Sequence, residues 1–222
     1  MIVADRKPLD EILNSIKDYK KIMLMGCGGC VTVCFSGGAK AVELLASQLK
    51  MARKKQCKDI EITECAPERQ CEYEFIDEFQ EELESVDAVL STACGVGVQT
   101  MSERYPDTMT IPALNTKFMG YPVEHALWEE RCAGCGDCVL EWTAGYCPIA
   151  RCAKRLLNGP CGGSQDGKCE VDEETDCIWQ LIYDRLKRLD KLDNLTTIRE
   201  PKDWQTSTNA GQRKIMFEEA ML

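Results

Sequence analysis

Apolar positions in the first half of the chain follow two periods in turn. Residues 9–19 carry Ile12, Leu13 and Ile16 on one helical face, and Lys21-Ile-Met-Leu-Met25 is a short apolar run that predicts a buried strand. Ser36-Gly-Gly-Ala39 opens a predicted helix with Val42, Leu45, Leu49 and Ala52 as its apolar stripe. Ile60-Glu-Ile62-Thr63 alternates as a strand does, and residues 72–83 return to helical spacing through Phe75, Ile76, Phe79 and Leu83. Ala88-Val-Leu-Ser91 predicts a third strand, residues 97–104 a helix, and Met109-Thr-Ile111 a fourth strand closed by Pro112. Strands alternating with helices predict a parallel sheet covered on both faces.

From Ala113 the alternation is lost, and glycines and cysteines dominate as far as Lys168. Residues 149–157 read as a short helix stopped by Asn158-Gly159-Pro160. Cys177 opens another, with Ile178, Leu181, Ile182, Leu186 and Leu189 on its buried side. Residues 196–222 are polar and irregular, an arm over a partner or a loosely ordered end. The fold class expected is α/β: a small parallel-sheet N-terminal domain over residues 1–112, then a cysteine-rich, metal-cluster-stabilised domain over 113–195, then the arm.

Composition narrows the chemistry. The chain has 222 residues, 15 cysteines, one histidine (His125) and a formal net charge of −10. Such a negative chain repels phosphates, which argues against nucleic acid. One histidine removes most Ser-His-Asp and Cys-His mechanisms and makes any metal site mostly thiolate. The first eight residues are charged where a signal peptide is apolar, and the apolar run at 22–35 is too short and glycine-broken to span a bilayer. A cytoplasmic chain without membrane insertion is expected, where cysteine clusters bind metal rather than form disulfides.

Eight cysteines fall in the second half: Cys132, Cys135 and Cys138 at C-x2-C-x2-C, then Cys147 before Pro148, Cys152, Cys161, Cys169 and Cys177. The trio with a following Cys-Pro is the thiolate pattern of a ferredoxin-type [4Fe–4S] site, and in two-cluster ferredoxins the Cys before Pro serves the other cluster. By that logic Cys147 joins a second set drawn from Cys152, Cys161, Cys169 and Cys177. Spacing does not decide the pairing. A four-thiolate zinc site in place of one cluster has overlapping ligands and spacing.

In the first half Cys27 and Cys30 follow the first predicted strand, Cys65 and Cys71 the second, and Cys94 the third. Ligands bind at the carboxyl ends of strands in an open parallel sheet, so these loops bring cysteine to one edge. Cys27, Cys30 and Cys94 are the leading ligands there, with Cys34, Cys65 and Cys71 competing for the fourth place. Gly26-Cys-Gly28-Gly29 fails the dinucleotide pattern G-x-G-x-x-G because Val31 holds the last glycine position. The glycines are expected instead to let backbone amides approach a cluster. Cys57, in a lysine-rich stretch, reads as a bystander.

Several strings carry a resemblance: Gly26-Cys-Gly-Gly-Cys-Val-Thr-Val-Cys34-Phe-Ser-Gly-Gly38, Glu68-Arg-Gln-Cys71-Glu72, Ala93-Cys94-Gly-Val-Gly-Val-Gln99, and the run from Cys147-Pro148 through Asn158-Gly-Pro-Cys161-Gly-Gly-Ser164 to Gly167-Lys-Cys169-Glu170. Together they resemble the MetV-type iron–sulfur subunit of bacterial methylenetetrahydrofolate reductase, over roughly residues 22–189. The resemblance implies two [4Fe–4S] clusters, or three, with Zn²⁺ in one four-cysteine site as an option. It implies a MetF-type flavoprotein partner that converts methylene- to methyl-tetrahydrofolate in the Wood–Ljungdahl pathway. It also implies a hetero-oligomer fed by an external electron donor, ferredoxin-like or a larger redox complex. The family pattern has cysteine at the positions of Cys71 and Cys34, which favours Cys71 over Cys65. The chain itself lacks a barrel's length and a flavin motif, so it reads as a redox subunit rather than the folate-binding catalytic chain. The alternative reading is a zinc-stabilised assembly module that carries no electrons.

Overall fold

A computed structural model describes residues 1–208 and 211–217. Residues 209, 210 and 218–222, part of the expected arm, lie outside the described residues. The chain divides into two compact units, Met1–Glu129 and Glu130–Leu222.

In the first unit, four parallel strands form a sheet in the order β3-β2-β4-β5: β2 Lys21–Met25, β3 Glu61–Cys65, β4 Ala88–Ser91 and β5 Met109–Pro112. The alternation of side chains along a strand explains why β2 and β4 read as unbroken apolar runs: both faces are covered. Ile22, Leu24, Ala88, Leu90 and Ile111 meet helix α1 (Leu9–Ser15), which supplies Ile12, and Ile16 just after it. Helix α3 (Ala39–Lys55) supplies Val42, Leu45, Ala46 and Leu49 to the same layer. Met23, Met25 and Val89 face the other way, against Ile76 of α4 (Tyr73–Asp77), Leu83 of α5 (Gln80–Leu83) and Met101 of α6 (Gly95–Arg104). Each fully buried Leu or Ile here contributes about 1.5–3 kcal/mol. A four-residue helix α2 (Cys30–Val33) follows β2.

Two polar clamps hold the amino ends of the strands. The Asp87 carboxylate accepts from the Lys20 and Lys21 amides at 3.0 and 2.8 Å. Arg53, buried on α3, donates to the Lys17 and Tyr19 carbonyls at 3.0 and 2.9 Å, satisfying acceptors after the end of α1.

A second, antiparallel sheet has the order β1-β6-β7, built from β1 Ile2–Arg6, β6 Leu114–Glu124 and β7 Leu127–Cys132. β1 pairs with β6 through a bulge between Val3 and Ala4. The loss of the strand–helix alternation at Ala113 therefore marks a change of sheet type: β5 ends the parallel sheet and β6 begins the antiparallel one. The helical stretch expected at 72–83 is two short helices, interrupted at Phe79, whose φ of −110° and ψ of 18° depart from helical values.

The second unit has little regular structure. Helix α7 (Pro148–Arg151) is one turn, shorter than the 149–157 expected, because Cys152 is extended and Arg155 takes a φ of 52°. Helix α8 (Ile178–Arg188) buries Ile178, Trp179, Ile182 and Leu186 against Ala144, Tyr146, Cys152 and Leu156. Short 3₁₀ turns lie at Leu192–Leu195 and Trp204–Thr206. Among the described residues no helix is long and apolar enough to cross a membrane.

Candidate metal centres

At the carboxyl ends of the parallel strands, loops from β2, β3 and β4 converge. Gln70, fully buried, organises them: its side-chain amide donates to the Met25 and Gly26 carbonyls at 2.9 and 2.7 Å, and its Oε1 accepts from Ser91 at 2.7 Å. The next residue is Cys71. Burial raises its thiol above the ordinary value, and the close negative charge of the Cys27 and Cys94 sulfurs raises it further. These three cysteines, one from each loop, are thus electrostatic neighbours. Cys30 opens α2 three residues after Cys27, and Cys94 caps the start of α6.

Cys34 shares an apolar cluster with Cys27 and Cys94, yet its thiol is engaged elsewhere. It donates toward the Ala4 and Val31 carbonyls, each at 3.6 Å, and lies 3.1 Å from the Ser36 hydroxyl. Cys65 sits on the opposite sheet face, beside Met23 and Met25. Desolvation, helped by the charge of Glu82, pushes its thiol up to about 12. Cys57 is exposed, in the turn after α3 with a φ of 53°.

The glycines of the Gly26–Gly29 loop do a different job from the one expected. The Gly26, Cys27 and Gly28 amides donate to the Cys65, Gly37 and Pro67 carbonyls at 2.7, 2.9 and 2.9 Å, so they are spent on protein rather than on sulfur. What the glycines provide is close approach: a Cβ on Gly28 would lie 3.1 Å from the Glu68 carbonyl oxygen, and one on Gly37 would overlap that of Thr92.

In the second unit, Cys132 ends β7 and the loop Cys132-Ala-Gly-Cys135-Gly-Asp-Cys138 follows. Gly134 and Gly136 take φ values of 59° and 84°, the left-handed region open to glycine. The Gly134 amide donates to the Cys132 sulfur at 3.4 Å. A later segment straps this loop. Thr206 donates to the Cys135 carbonyl, Lys202 to the Asp137 carbonyl, and Arg213 to both the Gly134 and Thr206 carbonyls, all at 2.8 Å. A Cβ on Gly136 would overlap the Thr206 carbonyl oxygen. The sequence predicts an arm or a loosely ordered end over 196–222; nothing in its polar pattern names the loop that Lys202, Thr206 and Arg213 hold.

The remaining cysteines are gathered by a tight hairpin. Asp166 and Gly167 take φ values of 49° and 79°, and Gln165 and Lys168 exchange both backbone hydrogen bonds, the geometry of a type I′ turn. The Cys169 amide then donates to the Thr175 carbonyl and the Cys177 amide to that of Gly167, at 2.9 and 2.7 Å. Cys152, Cys161, Cys169 and Cys177 line one cavity of about 20 Å³, with Arg151, Lys154, Glu170 and Asp176 among the surrounding charges. Lys154 pairs with Glu170, and Lys168 with Asp176 at 2.7 Å. Cys147, expected beside these four, caps α7 and does not line that cavity.

The donor set suits soft thiolate-bound metal, Zn²⁺ or iron–sulfur. Among the described residues, however, no three or more His, Cys, Asp or Glu side chains stand as a group that could hold a metal ion, so the metal-cluster stabilisation expected for the cysteine-rich segment is not supported by the geometry.

Residues 111–205 match the family described as "Methylene-tetrahydrofolate reductase C terminal". The match covers somewhat less than half the chain and includes all eight cysteines from Cys132 to Cys177; the sheet-edge cysteines lie outside it. Neither a curated protein nor a solved structure matches the chain.

Proposed function

We propose that this chain is the electron-transfer iron–sulfur subunit of a methylenetetrahydrofolate reductase complex. In this reading it relays electrons between an external donor and the flavin of a MetF-type catalytic partner, as part of a cytoplasmic hetero-oligomer. The observation that carries the reading is the coincidence of the family match with the eight cysteines, four of which line one cavity. Reduction of methylene- to methyl-tetrahydrofolate takes up two electrons and two protons. Folate chemistry belongs to the partner in this reading, and the present chain supplies one-electron steps.

The residues divide into three sets. Cys27, Cys71 and Cys94 with Cys30 form the sheet-edge set, leaving Cys34 to its hydrogen bonds. Cys152, Cys161, Cys169 and Cys177 form the cavity set. Cys132, Cys135 and Cys138 then take Cys147 as their fourth ligand by elimination. Thiolate-bound clusters supply reversible one-electron transfer when present. The chain's own residues orient the thiols: Gln70 ties the sheet-edge loops, the Thr206–Arg213 strap holds the C-x2-C-x2-C loop, and Lys154 and Arg151 offset negative charge beside the cavity set.

A second reading, zinc in the cavity set, is favoured by its donors. Its four cysteines match the ligand type and number of a structural zinc site. Iron, zinc and sulfide content of the anaerobically purified chain separates the readings, and zinc without iron overturns the electron-transfer role. For the relay itself, Cys135→Ala is expected to lose iron and slow flavin reduction by an external donor. Methyl-tetrahydrofolate oxidation with a dye that takes electrons at the flavin should survive. Loss of the dye reaction in an assembled complex would contradict the separation of roles.

A further inference from the structure

The second unit contains a larger cavity, about 440 Å³, that meets the thiolate sets only at Cys177. Trp142, Trp179 and Tyr183 give it aromatic walls, and Asn158, Gln180 and Arg199 stand among them. Its volume is within the usual range for a small organic ligand.

Arg199 is the unusual member. Its guanidinium carbon lies 3.2 Å from the centre of the Trp142 ring. Its backbone is clamped, because its amide donates to Asn158 Oδ1 at 2.7 Å and its carbonyl accepts from Asn158 Nδ2 at 2.9 Å. Yet its Nη2 is buried and has no acceptor. Among the described residues no carboxylate pairs with Arg199, although the chain carries ten more negative than positive charges. The neighbouring donors are already engaged: Asn194 Nδ2 donates to the Trp142 carbonyl, Gln180 Nε2 to Asp184, and Trp179 spends its single N–H on the Leu156 carbonyl. A buried guanidinium donor left unpaired is costly, and a bound oxyanion removes that cost.

We propose that this cavity binds a small ligand that combines a planar ring with an oxyanion, either carboxylate or phosphate. The oxyanion pairs with the Arg199 guanidinium, and the ring lies against the aromatic walls at Trp179 and Tyr183. The inference does not depend on the electron-relay reading: its contacts are to Arg199 and the aromatic walls, and the one thiol in the lining, Cys177, is given no role.

The test is calorimetric titration of the full chain, purified anaerobically with its own metal complement. Three ligands separate the sources of the chemistry: 5-methyl-tetrahydrofolate offers ring and carboxylate, AMP offers ring and phosphate, and inorganic phosphate offers the oxyanion alone. At least one ring ligand should bind with Kd on the order of 0.1 mM or tighter, and inorganic phosphate at least about tenfold more weakly. Arg199→Gln should weaken ring-ligand binding about tenfold or more, while Lys187→Gln, on the exposed side of α8, leaves it unchanged. Arg199→Lys, which keeps the charge but loses the planar fork, should fall between wild type and Arg199→Gln. Circular dichroism and metal content verify that each variant is folded. The proposal is overturned if neither ring ligand binds at millimolar concentration, if Arg199→Gln binds as the wild type does, or if inorganic phosphate binds as tightly as AMP.

Discussion

Gln70 and Ser91 share a buried 2.7 Å hydrogen bond that joins the loop after β3 to the end of β4. The same glutamine donates to two carbonyls at the end of β2, so one side chain sets the spacing of three cysteine-bearing loops. Gln70→Leu strands the Ser91 hydroxyl and the Met25 and Gly26 carbonyls without this partner. A loss of about 1–3 kcal/mol in stability is expected, read from denaturant unfolding. Bound metal should fall with it; an unchanged midpoint would show that the network does not organise the edge.

The strap over the C-x2-C-x2-C loop makes a kinetic prediction. Thr206→Val removes the hydrogen bond to the Cys135 carbonyl, and Arg213→Ala removes those to Gly134 and Thr206. Each bond is worth about 0.5–1.5 kcal/mol, so metal release to a chelator should speed up by roughly 2- to 12-fold per bond. The Lys58→Ala variant, at an exposed position of the first unit, serves as the reference and should release metal at the wild-type rate.

Cys65 and Cys57 should differ sharply toward an alkylating reagent at pH 8. Cys57 is exposed and should be modified in the native chain, whereas Cys65 is held as a thiol by burial and should react only after unfolding. Because the folded value is raised, its contribution to stability is complete below the ordinary value of 9.0. That contribution is lost as pH rises from there toward about 12. Mass spectrometry of digested, labelled protein reads the first effect, and Cys65→Ala compared with wild type across alkaline pH reads the second.

The Asp77–Arg104 pair predicts an acid-side effect. Hydrogen bonds from Arg104 and Tyr105 hold the Asp77 carboxyl below its ordinary 3.8. Its contribution is present above that value and disappears as pH falls through the lowered one. The Tm difference between wild type and Asp77→Asn should therefore be small but constant near neutrality and shrink toward zero as pH falls through the lowered value. A difference that persists in acid would assign the effect to packing on Tyr105 instead.

Strands β2 and β4 were legible because burial on both faces leaves them continuously apolar, and α3 because its stripe at Val42, Leu45 and Leu49 keeps helical period. The antiparallel sheet was not. β6 mixes Asn115, Thr116 and Lys117 with Gly120 and Pro122, and it is only partly buried, so no period survives to be read. Among site residues, the sheet edge followed from topology, but the assignment among Cys34, Cys65 and Cys71 did not. Cys65 packs beside Met23 and Met25, and the Cys34 thiol donates toward Ala4 and Val31; neither is a property of spacing. The cavity shared by Cys152, Cys161, Cys169 and Cys177 depends on the Asp166-Gly167 turn, a recognisable hairpin signal that lay between cysteines and was not used as one.

The clamps at the amino ends of the strands have a practical consequence. Asp87 and Arg53 fasten that end of the parallel sheet, while the cysteine loops occupy the other, a separation of about 17 Å along a five-residue strand. The exposed Lys58-Asp59 stretch lies at the fastened end. A surface-binding peptide spliced there would tether the chain to an electrode with its sheet-edge sulfurs turned to solution. Voltammetry could then address that edge, with a tether at the opposite end as the inverted control.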